Sequence, residues 1–229
     1  MPAPRDSSGR LDPALLEVVM ISDGRGDLPR LERTAAAVIE AGVRCVQIRE
    51  SRWTARMLVQ ACERLRPLLD AVAGVLLVND RVDVAAAGVA HGVHLGHRSL
   101  PIDMARQVLG PDAVIGYSAH DTAELELAAV ARADFATLSP VWPTSSKPNA
   151  PTVGESRAIA LTGNARLPVV WLGGITTREA ASIARYTDGP QPAGVAVRSL
   201  FGDAEDPGFT ATRLLSALRG DGAVDGATD

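Results

Sequence analysis

The chain has 229 residues, 46% hydrophobic and 22% charged, with a net charge of −4. One large α/β domain suits that length and composition better than two small ones. A 3% aromatic content with no long basic run argues against nucleic acid as a partner. No apolar run approaches the roughly 20 residues that span a bilayer, so a membrane is not expected either.

Residues 1–10 are polar and lack the apolar centre of a signal peptide. They and residues 220–229 are expected to be frayed tails on a folded unit over 11–219. Cys45 and Cys62 are the only cysteines and form no C-x-x-C pair, which predicts reduced thiols and a cytoplasmic location.

Between the tails, apolar runs alternate with helical patterns. Strand one is expected over 17–21 and a helix over 28–41, then strand two over 43–48 and a long helix over 54–73. Strand three covers 75–78, with a short alanine-rich helix at 82–87. Strand four covers 93–95, and the helix at 101–109 carries proline at its first position. Strand five is expected at 113–117 with a helix at 122–132, and strand six at 135–138 with a helix at 155–162. Strands at 169–172 and 194–197 follow, with helices at 179–185 and 207–219. Several strands lack apolar/polar alternation, as expected when both faces are covered. Eight β–α units in about 200 residues predict a single (β/α)8 TIM barrel. An open doubly wound sheet is the next-best architecture, but no G-x-G-x-x-G follows strand one.

In such a barrel the chemistry gathers where strands end. Strand seven ends in Gly173-Gly174 and strand eight in Arg198-Ser199. Residues without side chains let backbone N–H groups approach an anion, and Thr176 suits the N-cap of a following helix. Together they predict a phosphate cradle. Gln47, Arg49, Asn79, Ser118, Thr144, Ser146 and Lys147 bring hydrogen-bonding groups and cations to the same mouth. Arg49 and Lys147 suit a phosphate or carboxylate, with surface ion pairing as the alternative for each. Asn79 and Asp80 suit a polar heteroatom or a metal, or else an Asx turn that starts the next helix. His120 follows strand five and is the candidate proton carrier. His91, His94 and His97 recur every three residues along a strand and turn, which does not bring them to one face as a zinc site.

The strings ISD, VQIRE, VNDRVDVA, GVHLG, IGYSAH, SPVWPTSSKP, LGGIT and GVAVRS, in this order, resemble the thiamine phosphate synthase/TenI superfamily over residues 18–201. The resemblance implies a (β/α)8 barrel that handles the thiazole phosphate half of thiamin, and together with general symmetry preferences it points to a homodimer. It also implies two branches. The synthase branch joins a pyrimidine diphosphate to a thiazole phosphate with Mg2+ and releases pyrophosphate. Its Q-x-R-E-K lysine is Ser51 here, and its H-L-G-Q-x-D aspartate, an Mg2+ ligand, is Ser99, which leaves Asp80 as the remaining match to a metal ligand. Asn79, Ser118, Thr144, Ser146 and Lys147 still match synthase ligand positions. The TenI-like branch is a thiazole tautomerase, an isomerase with no metal cofactor, in which the histidine matching His120 is the acid/base. The two losses in the diphosphate subsite favour this branch. The alternatives are the synthase, with Mg2+, and a non-catalytic regulator that binds a phosphorylated metabolite.

Overall fold

The computed structural model describes residues 3–6, 9–144, 150–186 and 189–221. Eight parallel strands close on themselves in sequence order: β1 (Val18–Ile21), β2 (Cys45–Ile48), β3 (Val75–Asn79), β4 (Gly92–Leu95), β5 (Val114–Ala119), β6 (Phe135–Leu138), β7 (Val169–Leu172) and β8 (Gly194–Val197). The closing pair is β1 with β8, where Val19 stands opposite Ala196. The helices between strands are α1 (Leu28–Glu40), α2 (Ala55–Asp70), α3 (Val82–Ala86), α4 (Ile102–Leu109), α5 (Thr122–Val130), α6 (Glu155–Asn164) and α7 (Thr177–Ala184). After β8 come a short α8 (Ser199–Gly202) and the final α9 (Pro207–Arg219). The expected (β/α)8 barrel is the observed fold.

Two cores follow from the period-two geometry of strands. One set of side chains points inward and fills the barrel, with Val19, Cys45, Leu77, Phe135 and Val170 among them. The alternate set, including Val46, Val78 and Trp171, meets the helices outside. Most strand residues are therefore buried whichever way they point, which is why the strands show no polar alternation. Burial pushes the thiols of Cys45 and Cys62 up to about 12, so neither is a reactive thiolate at neutral pH.

Helix starts are set by side-chain caps. Asp27, Thr54, Asp121 and Asp206 each accept a backbone N–H from the first turn of the helix they precede. Thr176 and Glu179 form a reciprocal capping box at α7, so that helix begins earlier than its apolar pattern suggested.

The expectation of a frayed stretch over 1–10 needs correction for its described part. Ala3 and Leu11 join the inner core from below, with the short 3-10 helix Pro13–Leu16 beside them. Arg5 reaches Asp134 at 2.9 Å and donates to the carbonyls of Asp112 and Ala113 at 3.1 Å each. A parallel barrel leaves its lower end open, and this segment closes it with apolar groups and one guanidinium. At the other terminus Gly220 caps α9 in a left-handed conformation, and residues 222–229 lie outside the described residues.

Candidate active site

The C-terminal ends of the strands open into a cavity of about 820 Å3. β2 and β3 supply a chain of side-chain hydrogen bonds on one side. Gln47 is buried, and its Nε2 donates to Asn79 Oδ1 at 2.9 Å. Asn79 Nδ2 donates in turn to Asp80 Oδ2 at 3.0 Å. Asp80 has φ 63°, a left-handed conformation that aspartate tolerates better than most residues. This sharp turn ends β3, and the carboxylate meets the loop after β4, where the Ser99 hydroxyl donates a short hydrogen bond to Asp80 Oδ1. Ser99 Oγ also accepts the Gly96 N–H at 2.7 Å. No side chain caps α3, so the Asp80 carboxylate does not serve as an Asx cap.

β4 and β5 continue the ring. His94 Nε2 lies 3.0 Å from Ser118 Oγ and 3.3 Å from Thr137 Oγ1. Its imidazole is buried against the Phe135 ring, with centroids 5.6 Å apart. Burial, with the Arg49 charge adding to it and Asp80 opposing, holds the imidazole down at about 4, so it is neutral at physiological pH. His91 lies just before β4 and faces the outer layer. Its Nδ1 accepts the Leu76 N–H at 2.9 Å, its Nε2 lies 3.1 Å from Asp70, and burial likewise lowers it to about 4. His91 and His94 therefore sit in separate surroundings, one against the outer layer and one inside the barrel.

These two rings make a pH prediction. A histidine whose folded pKa lies below its unfolded value takes up a proton more readily when unfolded. The stability it contributes is whole above about pH 6.5 and is lost as pH falls toward about 4. Unfolding free energy should fall across that window, and the ring proton resonances of His91 and His94 should stay at their neutral shifts until near pH 4. Titration of either ring near 6.5 would contradict the burial argument.

β7 and β8 build the facing wall, because in a closed ring of eight they stand opposite β3 and β4. Gly173 and Gly174 have φ 102° and 67°, both in the region that favours glycine. A Cβ on Gly173 would come within 2.8 Å of Pro140 Cβ, and one on Gly174 within 2.4 Å of the Pro143 carbonyl oxygen. The pair is thus required by the tight packing of the loop after β6 as well as by bare access to backbone N–H groups. Ser199 begins α8, whose first N–H groups have no intrahelical partner. Barrels of this class commonly bind phosphate between the loops after strands seven and eight and such a short extra helix.

The candidate residues separate by place. Gln47, Asn79, Asp80 and Ser118 gather on the hydrogen-bonded side, and Gly173, Gly174 and Ser199 on the opposite wall. Arg198 lines the cavity, but its guanidinium donates to the Asp23 carbonyl at 2.7 Å and ties down the loop after β1. Glu50 holds that loop from the other side, accepting the N–H groups of Gly24 and Gly26 at 3.0 Å each. Arg49 and Thr144 line the mouth. Ser146 and Lys147 lie outside the described residues. His120 lines the rim with its side chain 41% exposed, and its Nδ1 lies 2.9 Å from Glu124 Oε2. The same parity that points Ser118 inward carries His120 toward the cavity, but β5 ends at Ala119 and Glu124 of α5 holds the ring at the edge. The imidazole inside the barrel is that of His94. Its inward parity was readable, since it stands opposite Asn79 in the β3–β4 register.

Whether these residues suit the Mg2+ implied for a synthase can be tested on Asp80. Mg2+ asks for hard oxygen ligands in octahedral geometry. Both Asp80 oxygens already accept hydrogen bonds, and the second position of the pair is the Ser99 hydroxyl. Among the described residues no group of three or more His, Cys, Asp or Glu could hold a metal ion. The described residues therefore offer Mg2+ one carboxylate, Asp80, already engaged through both oxygens, and no cage built from protein ligands alone.

The family model for thiamine monophosphate synthase matches residues 18–200. The thiamine-phosphate synthase of Laribacter hongkongensis is 38% identical over 197 residues, covering 85% of this chain and 90% of that one. The thiamine-phosphate synthase of Mycobacterium tuberculosis is 35% identical over 216 residues, covering 90% and 96%. The solved thiamine phosphate pyrophosphorylase from Pyrococcus furiosus superposes with a TM-score of 0.80 at 28% identity, covering 91% of this chain and 98% of that one. These relatives overturn the preference for an isomerase: the tautomerase reading gave two substitutions in one subsite more weight than the rest of the cavity, and the match to synthases runs through the whole barrel. With its sequence matched from β1 into α8, the chain belongs to the thiamine monophosphate synthase/TenI family.

Proposed function

We propose that this chain is a transferase of thiamin biosynthesis that joins a pyrimidine diphosphate to a thiazole phosphate and releases pyrophosphate. The observation that supports it best is the pairing of two unlike walls in one cavity. The wall of β7, β8 and α8 offers backbone N–H groups to a monophosphate. The side built from Gln47, Asn79, His94 and Ser118 offers fixed donors and acceptors to a polar heterocycle. Similarity to proteins named as synthases adds to this reading.

In this reaction the diphosphate departs with the electron pair of its C–O bond, and the thiazole supplies the pair for the new bond. No proton is taken from carbon, so a titrating imidazole is not required. The contribution of the chain is alignment: gripping the phosphate at one end and the pyrimidine at the other makes the encounter effectively unimolecular. A neutral His94 suits this task, because it orients Ser118 without adding a charge to the floor.

The test is to incubate the purified chain with both substrates and to follow the joined product by mass spectrometry and pyrophosphate by a coupled assay. Equal amounts of both products support the proposal; neither product appearing overturns it. His120→Gln should keep kcat/KM for coupling within about threefold, the scale of a surface substitution. A loss of about 10²-fold or more would instead assign proton transfer to that rim histidine.

A further inference from the structure

The engaged carboxylate of Asp80 has a counterpart on the basic side of the same mouth. Arg49 directly follows β2 and Arg98 sits in the loop after β4, beside Ser99. Both line the cavity, and among the described residues neither guanidinium is engaged in a hydrogen bond or an ion pair. Arg198 at the other wall, by contrast, is tied to the Asp23 carbonyl.

We infer that this chain holds its diphosphate by guanidinium charge, with Arg98 and Arg49 doing what a tightly bound divalent ion would otherwise do. The inference rests on the coupling reaction proposed above for the identity of the ligand. The charge count supports it. Among the described residues, two guanidiniums against the Asp80 carboxylate leave this end of the cavity net positive without a metal. A second carboxylate in place of Ser99 would cancel that surplus and make a cation necessary.

The hydrogen bonds point the same way. Ser99 Oγ accepts the Gly96 N–H at 2.7 Å, which leaves its own proton to be donated to Asp80 Oδ1. Asn79 Nδ2 takes the other carboxylate oxygen at 3.0 Å. A divalent ion at Asp80 would share a carboxylate that already accepts two hydrogen bonds. A guanidinium leaves both undisturbed, because it binds the diphosphate oxygens directly and can do so through two parallel N–H groups. Ser51 is exposed and does not line the cavity, so Arg98 is the added cation that faces the ligand.

The experiment is isothermal titration of inorganic pyrophosphate into the full chain, once with EDTA and once with saturating MgCl2. Wild type should bind in EDTA with a Kd within about threefold of its value with Mg2+. Arg98→Ala should weaken binding in EDTA by about tenfold or more, the scale of one charge-assisted contact, and Arg98→Lys should restore part of it. Ser99→Asp should weaken binding in EDTA and make it at least about tenfold tighter with Mg2+ than without. Wild-type binding that requires Mg2+, or an Arg98→Ala variant unchanged in EDTA, overturns the inference. The two proposals fail separately: metal-free pyrophosphate binding without coupling sinks the transferase reading alone, and coupling with binding only in Mg2+ sinks this one alone.

Discussion

Gly174→Ala is expected to lower kcat/KM for coupling by about 10²-fold and to lower the thermal midpoint by about 5 °C. The left-handed backbone of Gly174, at φ 67°, costs an alanine about 1–3 kcal/mol by itself. The added Cβ also meets the Pro143 carbonyl oxygen at 2.4 Å and Trp142 Cβ at 2.8 Å. Both neighbours are close-packed backbone or the root of a side chain, so the wall itself must shift. A displacement there moves the N–H groups that would face the monophosphate. Gly88→Ala is the control, since Gly88 has φ 77° but nothing within 4 Å of an added Cβ. It should carry the backbone cost alone and leave KM for the thiazole phosphate unchanged. Equal losses in the two variants, measured by steady-state kinetics and thermal melts, would remove the glycine wall from the binding site.

Asp134→Ala should be the most destabilising change to the lower end of the barrel. Asp134 precedes β6 and has a side chain only 8% exposed. It faces Arg5 at 2.9 Å and Arg106 at 2.7 Å, and it accepts the Ile115 N–H at 2.8 Å. Removing it leaves two largely buried guanidiniums without their anion, a loss of about 3–5 kcal/mol for a broken buried pair. For a domain of this size that lowers the thermal midpoint by about 10 °C. Arg5→Ala should cost less, because Arg106 still satisfies the carboxylate. Circular dichroism melts check both, and kcat per folded molecule should stay at the wild-type value, since the network lies at the barrel end away from the cavity. A midpoint change below about 2 °C in Asp134→Ala would show that the buried ion pairs of Asp134 add little to the fold.

Much of the barrel was legible because its punctuation is chemical. β6, β7, β8 and α9 run over the residues expected for them, each apolar run being cut off by Gly, Pro or charged residues. α8 was not legible: four residues, SLFG, are too few to show a helical period, and only their place after a strand makes them a turn of helix. The lower plug was missed for a similar reason. Residues 3–6 are too few to show a pattern, and nothing local announces that Arg5 finds Asp134 across 129 positions of chain. At the site, Gln47, Asn79 and Ser118 were recognisable as polar residues near strand ends. His94 was read only with His91 and His97, as a spacing unfit for zinc, so its place on β4 went unused. The end of β5 was placed two residues early, which left Ser118 in the loop. The Ser99 hydroxyl, read as a missing carboxylate, is instead an engaged partner of Asp80.

The account has two anion sites of different make on opposite sides of one cavity. The most direct measurement is a crystal structure of the chain grown with thiazole phosphate and pyrophosphate together, in EDTA. The monophosphate should lie on the main-chain amides near Gly174 and Ser199, with pyrophosphate against Arg49 and Arg98. A monophosphate found on the arginines, or a cavity that takes neither anion at the glycine wall, would contradict it.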